Sequence, residues 1–447
     1  MFFKEFELPT APKFNDLTVS ILDFGAKADN ATDASVAINE AMLHVSKNGG
    51  GKVVIPEGVY FSKPITMQSN VNLHLEKGAK INFTDKLEDF LPVVFTRIEG
   101  VRCYSFRPLI YGSNIENVAI TGEGVFNGNG QWWWKSDERK NKGGARSSGA
   151  ASGDLINMAA AGVPIEERVF DTEESGMRPY FLQLLYCKNL LIEGVRFINS
   201  PFWCVCPTFS ENVIIRNISF LSPKGSHNTD SVDIDSCKNV LVEGIRVDCS
   251  SDDGVVIKSG RDIDGILADW PTENVLVRNC HFHCSGGTVA IGSETSGGIK
   301  NVHIHDITSD KTNNIVNIKT APGRGNVIEN IFIENVKSTT SISSVTITSK
   351  YWLKKGDEPS FENMPTVRNI HYKNIDIGLC YHGLKVQGWH KYELQNIYLE
   401  NIKIKCLETT TTIENVDGLH IDGIDISLDK ENWFDWKTHG QLGLEEN

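Results

Sequence analysis

An asparagine followed by alternating aliphatic residues recurs along this chain, and that repeat restricts the fold more than any other feature. It reads Cys187-Lys-Asn-Leu-Leu-Ile-Glu-Gly-Val-Arg-Phe, then Ser210-Glu-Asn-Val-Ile-Ile-Arg-Asn-Ile-Ser-Phe. It returns as Cys237-Lys-Asn-Val-Leu-Val-Glu-Gly-Ile-Arg-Val and Thr272-Glu-Asn-Val-Leu-Val-Arg-Asn-Cys-His-Phe. Further copies begin at Ile299, Ile328, Val367, Leu394 and Val416, with an earlier one at Ile115. The marker residues Asn189, Asn212, Asn239, Asn274, Asn301, Asn330, Asn369 and Asn396 are separated by 23, 27, 35, 27, 29, 39 and 27 residues. Within each copy apolar and polar residues alternate, which is the period of a strand. The strands are short, rich in Val and Ile, and broken by Gly, Asn or Asp. Units of this size that cannot bury a face alone stack into a solenoid. The expected fold is all-β: a right-handed parallel β-helix of three strands per coil, with the longer steps carrying loops on one face. A propeller of the WD type needs steps of about 40 residues and its own signature.

The repeat also sets the domain organisation. A length of 447 residues would suggest about three domains at roughly 150 residues each, but a solenoid grows in one dimension. A single β-helix domain over 1–447 is expected. Residues 18–60 read as an N-terminal cap and first strands. The stretch Asp33-Ala-Ser-Val-Ala-Ile-Asn-Glu-Ala-Met-Leu-His-Val has a helical period, with Asp33 or Thr32 as N-cap, and serves as a lid on the open end. Residues 127–176, with Trp132-Trp133-Trp134 and a Gly/Ser/Ala/Lys-rich run, read as an inserted loop with a helix around Glu166. An amide at each bend can hydrogen-bond the coils above and below, which accounts for the asparagines.

Charge narrows the partners. Net charge is −13, so a generic nucleic-acid surface, which needs a basic field, is not expected. An acidic substrate would need a local basic patch. No run of about 18 apolar residues exists, so no membrane helix is expected. The first residues lack a basic segment followed by an apolar one. The ten cysteines sit in a large chain, and Cys187 and Cys237 occupy the same repeat position, which reads as buried, reduced thiols. Both points lead to a cytoplasmic expectation. The pairs Cys204/Cys206 and Cys280/Cys284 lack matching second pairs, so no metal site and no cofactor are expected. A homo-oligomer is compatible with the sequence.

Two segments depart from the repeat: Ser226-His227-Asn228-Thr229-Asp230 and Ser250-Ser251-Asp252-Asp253-Gly254. Asp230 and Asp252 are 22 residues apart, one coil, and adjacent coils lie about 4.8 Å apart. Asp230, Asp252 and Asp253 are therefore expected on one face. Crowded carboxylates repel, so one of them holds its proton to higher pH. A protonated acid beside an ionised base is what glycoside hydrolysis requires.

Asn228-Thr229-Asp230, Asp252-Asp253, Ile291-Gly292-Ser293-Glu294 and Ile318-Lys319-Thr320, in this order and at coil spacing, resemble the polygalacturonases, family 28 of the glycoside hydrolases. Asp23-Phe24-Gly25-Ala26 and Gly50-Gly51-Lys52-Val53-Val54-Ile55-Pro56 are similar to the bacterial exo-acting branch. The resemblance implies metal-free, inverting hydrolysis of α-glycosidic bonds in pectins. It assigns Asp252 as general acid and Asp230 and Asp253 to the attacking water. Asn228, Lys258, Arg261, Ser285, Gly286, Asn317 and Lys319 become candidate substrate contacts, and Trp133 and Trp134 candidate sugar-stacking faces. Two family residues are missing: the histidine expected at 285 or 286 is Ser285 or Gly286, and the arginine expected at 317 is Asn317. His283 is a further candidate for the histidine's place.

The reading is an exo-acting α-glycosidase on pectin-derived oligosaccharides, either galacturonides or rhamnogalacturonan fragments. With the arginine gone, a galacturonosyl-rhamnose unit is the expected preference. The alternatives are a plain exo-polygalacturonase on oligogalacturonates, a calcium-dependent β-helix pectate lyase, and a non-catalytic glycan-binding β-helix.

Overall fold

The computed structural model describes residues 6–135, 147–351 and 362–429. It is a right-handed parallel β-helix, mostly strand, with all but two of its described strands in one large parallel sheet. The chain forms two compact units, Leu8–Asp233 with Cys237–Leu241, and Met1–Glu7 and Ile234–Ser236 with Val242–Asn447.

In the first unit the helix Ser35–Lys47 buries Ala37, Ile38, Ala41, Met42 and Val45 on one face, against the strands Gly51–Ile55 and Val71–Leu75. Its N-cap is Ala34, which offers no side-chain bond. The expected cap Asp33 stands one residue earlier and still accepts the Ser35 N–H at 2.9 Å. Strands Gly51–Ile55, Val71–Leu75, Glu116–Gly122, Lys188–Glu193 and Glu211–Arg216 then pair in parallel, one coil on the next. Inside, Phe83, Phe126, Phe197 and Phe220 stack nearly parallel at centroid spacings of 5.3–6.3 Å. Equivalent positions of successive coils superpose, so one residue type at one repeat position becomes a column.

The asparagines behave in this way. Side-chain amides link Asn117 to Asn70, Asn189 to Asn117, Asn212 to Asn189 and Asn239 to Asn212 at 3.0–3.2 Å. All five have φ between 51° and 64°. Asparagine tolerates this left-handed turn better than other non-glycine residues, so each marker turns the chain and bonds its neighbour.

The inserted stretch differs in detail from expectation. The helix lies at Ser148–Ala160, with Ser147 capping the Ala150 N–H, and near Glu166 there is one tight turn, Ile165–Glu167. Alanines in the small-residue run favour helix, and the serine supplies the start. An antiparallel hairpin, Val94–Ile98 with Val101–Ser105, also interrupts the coils.

In the second unit the long strands Thr272–His283, Ile299–Asp310, Val327–Ser343, Thr366–Gln387, Leu394–Glu414 and Val416–Leu428 pair in parallel. A second amide ladder runs Asn274, Asn301, Asn330, Asn369, Asn396 at 3.1–3.2 Å. A separate face is laid down by Asp253–Lys258, Gly287–Ile291, Asn317–Lys319, Thr346–Thr348, Lys385–Gln387 and Thr412–Glu414, each in register with the next.

All ten cysteines are free thiols and nine are buried. Burial pushes the Cys187 thiol up to about 12. Among the described residues no helix is long and apolar enough to cross a membrane.

Candidate active site

Asp252 and Asp253 close the turn that leads into the strand Asp253–Lys258. Ser250 fixes this turn: its hydroxyl donates to Asp252 O at 2.9 Å and accepts the Asp252 N–H at 3.2 Å. The Asp253 N–H donates to Asp252 Oδ1 at 2.9 Å. The two carboxylates approach within 4.8 Å. Burial, and then the charge of Asp253, hold Asp252 above the usual carboxylate range, against the opposing pull of Lys319 and Lys258. Asp252 is therefore suited to donate a proton.

Asp253 is buried and differently placed. Lys319 Nζ lies 2.7 Å from its Oδ2, with 16% and 5% of the two side chains exposed. Burial presses the Lys319 ammonium down, but Asp253 outweighs it and the net shift is upward. Lys319 Nζ also sits 5.3 Å from the Tyr351 ring centroid, a cation–π contact. Tyr351 was not singled out from the sequence, because no repeat or motif marks it; only the register of the neighbouring coils brings it to Lys319.

The packing here requires glycine at two positions. A Cβ on Gly286 would lie 2.6 Å from Asp252 Cα, and one on Gly287 would lie 2.1 Å from Asp253 Oδ1. The Gly286 N–H donates to Asp252 O at 2.9 Å. Gly286 thus supports the acid by backbone contact, and a histidine cannot stand there without displacing Asp252. Ser285 is buried and spends its hydroxyl on Gly287 O at 2.8 Å. His283 pairs with Asp310 at 3.2 Å.

Behind the pair lies a buried charge cluster around Glu294. Lys258 Nζ is 3.5 Å and Arg261 Nη1 3.9 Å from its carboxylate. Burial raises Glu294, but Lys258, Arg261 and Arg324 overcome it and bring the group to about 2. Arg324 pairs with Asp262 and donates to Ser293 O at 2.8 Å. Lys258 is thus a buried structural cation, and Arg261 is shared between Glu294 and Asp262.

From Lys319 a cleft of about 460 Å³ opens along the in-register face. Asn317, Thr346, Thr348 and Tyr351 line its near end and His382, Lys385, Gln387 and Thr412 its far end. Among the described residues its lining includes no Asp or Glu.

In the first unit, Asp230 is buried and its carbonyl accepts the Cys204 N–H at 2.9 Å. Asn228 has φ +52° and its Oδ1 accepts from Arg178 Nη2 at 2.5 Å. Arg178 also donates to the carbonyls of Pro201 and His227 and lies over the Phe202 ring. It holds the Asn228 loop, a role with no signal in the sequence. Of the two expected sugar-facing tryptophans, Trp133 is placed otherwise. Trp133 is 1% exposed and packs on Phe90, Phe106 and Trp132, which leaves no face for a sugar. Trp134 is half-buried and donates its indole N–H to Ser200 O at 2.8 Å. Trp203, buried, stacks on Phe202.

A parallel β-helix with an acid of raised pKa, a lysine-paired carboxylate and a basic, hydroxyl-rich cleft defines a carbohydrate-cleaving β-helix. Residues 165–424 match the model of glycosyl hydrolases family 28, and residues 18–82 match that of rhamnogalacturonase A/epimerase, pectate lyase-like proteins. The chain belongs to glycosyl hydrolases family 28, and it is a glycoside hydrolase. It is similar to a hyperthermoactive exopolygalacturonase from Thermotoga maritima, at 36% identity and TM-score 0.82 over 92% of this chain and 94% of that one. A probable polygalacturonase of Vitis vinifera is 27% identical over 90% of this chain and 78% of that protein. The family 28 exopolygalacturonase of Yersinia enterocolitica, at 16% identity and TM-score 0.70 over 94% of this chain and 77% of that one, shares the fold.

Proposed function

We propose that this enzyme is an inverting, exo-acting α-glycosidase of acidic pectin-derived oligosaccharides, with galacturonate on the leaving-group side of the broken bond. The observation that carries this reading is the division of labour between two adjacent carboxyls: Asp252 raised toward protonation, Asp253 bound to Lys319. Asp252 gives its proton to the glycosidic oxygen as the bond to the anomeric carbon breaks. Asp253, with Asp230 assigned by the family motif, orients and deprotonates water. The water oxygen bonds to the anomeric carbon, and its proton passes to the base.

The closest oxygens of Asp252 and Asp253 lie within 4.8 Å, shorter than the roughly 6.5–9.5 Å usual between the acid and base of inverting enzymes. The inverting reading therefore rests on the likeness to family 28, and Lys319 serves to hold Asp253 in place. The sequence led to a neutral sugar or a differently placed acid downstream, with rhamnose preferred, because Asn317 replaces the family arginine. The cleft supports an acid: among the described residues Lys319 and Lys385 line it without any carboxylate, in a chain of net charge −13. Exo action fits the likeness to the Thermotoga maritima exopolygalacturonase. Buried free thiols fit a reducing compartment, and we read the enzyme as cytoplasmic and its role as late pectin breakdown.

The test is proton NMR during hydrolysis of digalacturonate and of a galacturonosyl-rhamnose disaccharide. The expected result is faster cleavage of digalacturonate with the β-anomer released first. Release of the α-anomer first would overturn inversion, and a preference for the rhamnose disaccharide would overturn the acidic leaving group.

A further inference from the structure

Two register columns lead out of the site along the cleft. In one, Asn317, Thr346, Lys385 and Thr412 stand directly opposite one another on successive coils. In the other, Asp253, Gly287, Asn314, Ser343 and His382 do the same. Because side chains alternate in and out along a strand, Lys319, Thr348 and Gln387, two residues on from the first column, share its face. The sequence repeat therefore does more than build a wall. It paves a strip of hydroxyls and amides that starts at the catalytic carboxylates and ends at two exposed cationic or titratable groups, His382 and Lys385.

We propose that Lys385, with His382 beside it, is a specificity-determining residue that holds the carboxylate of a second acidic sugar, one ring beyond the sugar at Lys319. The proposal rests on the reading of the substrate as an acidic oligosaccharide. Lys385 lies two coils past Lys319, about 10 Å at the spacing of paired strands. That is too far for one carboxylate to meet both lysines, and the long, exposed Lys385 side chain can reach back toward the next ring. The intervening Thr346 and Thr348, with Asn317 before them, supply groups that match sugar hydroxyls. Asn317 itself is 5% exposed, and its side-chain carbonyl is buried without a hydrogen-bond partner, an unfilled acceptor at the start of the strip. Glu414, which stands opposite Gln387 on the next coil, is bound by Lys350 at 2.7 Å, and Lys385 acts on it only as a lesser, through-space charge. A lysine holds a carboxylate as a point charge, which tolerates the freedom of an exposed ring.

The experiment measures binding and turnover together. Asp252→Asn protein, which holds sugar without cleaving it, is titrated calorimetrically with digalacturonate, trigalacturonate and a neutral trisaccharide, with and without Lys385→Met. Wild-type turnover of both acidic sugars is followed in parallel. The expected result is a loss of affinity on Lys385→Met that is at least fivefold greater for trigalacturonate than for digalacturonate, with recovery in Lys385→Arg. The neutral trisaccharide should bind weakly to both forms. Equal losses on the two acidic sugars, or none, while wild type cleaves both, would overturn the role of Lys385 and leave the substrate reading standing. Failure of wild type to bind or cleave either acidic sugar would overturn both.

Discussion

Lys319 and Asp253 meet at 2.7 Å although 66 residues separate them in the chain. The β-helix register makes this contact: Asp253 opens a strand that pairs with Gly287–Ile291, which in turn pairs with Asn317–Lys319. One lysine thus serves two ends of the site. It holds Asp253 in place and presents a positive charge at the mouth of the cleft.

Removing that charge should harm both roles. Lys319→Met leaves Asp253 buried and unbalanced, and breaking such a pair costs about 3 kcal/mol. Urea unfolding should show a loss of that size, and kcat/KM on digalacturonate should fall at least a hundredfold. A variant with normal stability and near-normal turnover would show that the ion pair is incidental.

The two causes that raise Asp252 can be separated. Burial stays in an Asp253→Asn variant, whereas the repulsion from Asp253 disappears and Lys319 loses its partner. Both changes favour the ionised form, so the Asp252 pKa should drop. In wild type, activity should decline as pH rises through the elevated Asp252 pKa, since the leaving oxygen needs a proton. Carbon NMR titration of the labelled carboxyl reads this directly. An unchanged or higher value in the variant would mean that Asp253 does not set the acid.

Glu294 carries the opposite sign. Its pKa is depressed to about 2 from an unfolded value of 4.5, so its contribution is present above pH 4.5 and is lost as pH falls toward 2. The group is almost wholly enclosed, and the linkage amounts to about 3 kcal/mol. Glu294→Gln should be less stable than wild type by about that much at pH 7, with the gap closing in acid. A gap that widens as pH falls would contradict the assignment.

Gly286 tests how the acid is seated. With a Cβ 2.6 Å from Asp252 Cα and 2.7 Å from Asp252 C, both backbone, an alanine must move the catalytic turn. Gly286→Ala should lose about 1–3 kcal/mol of stability and at least tenfold in kcat. Wild-type melting and turnover would show that the turn has slack.

What the sequence disclosed follows from how local each signal is. Asn189, Asn212 and their successors reveal the coils because turn and side-chain ladder both depend on one residue type recurring at one position. Asp252 and Asp253 were legible because they interrupt that recurrence. Trp133 was misleading: three consecutive tryptophans announce an aromatic cluster but not which ring faces Phe90 and Phe106. Lys385 lies in the ordinary 27-residue step between Asn369 and Asn396, where no motif marks it. Only the register of its coil against Thr346 puts it in the cleft. Gly286 showed in sequence as a missing histidine, whereas the contact with Asp252 that excludes any side chain there depends on coordinates.

The central claim is that Asp252 donates the proton. Steady-state kcat of Asp252→Asn on digalacturonate tests it most directly, because the swap preserves shape and removes the acid. The account predicts a loss of about 10²–10⁴ in a protein whose circular dichroism and melting match wild type. Turnover within tenfold of wild type would contradict it.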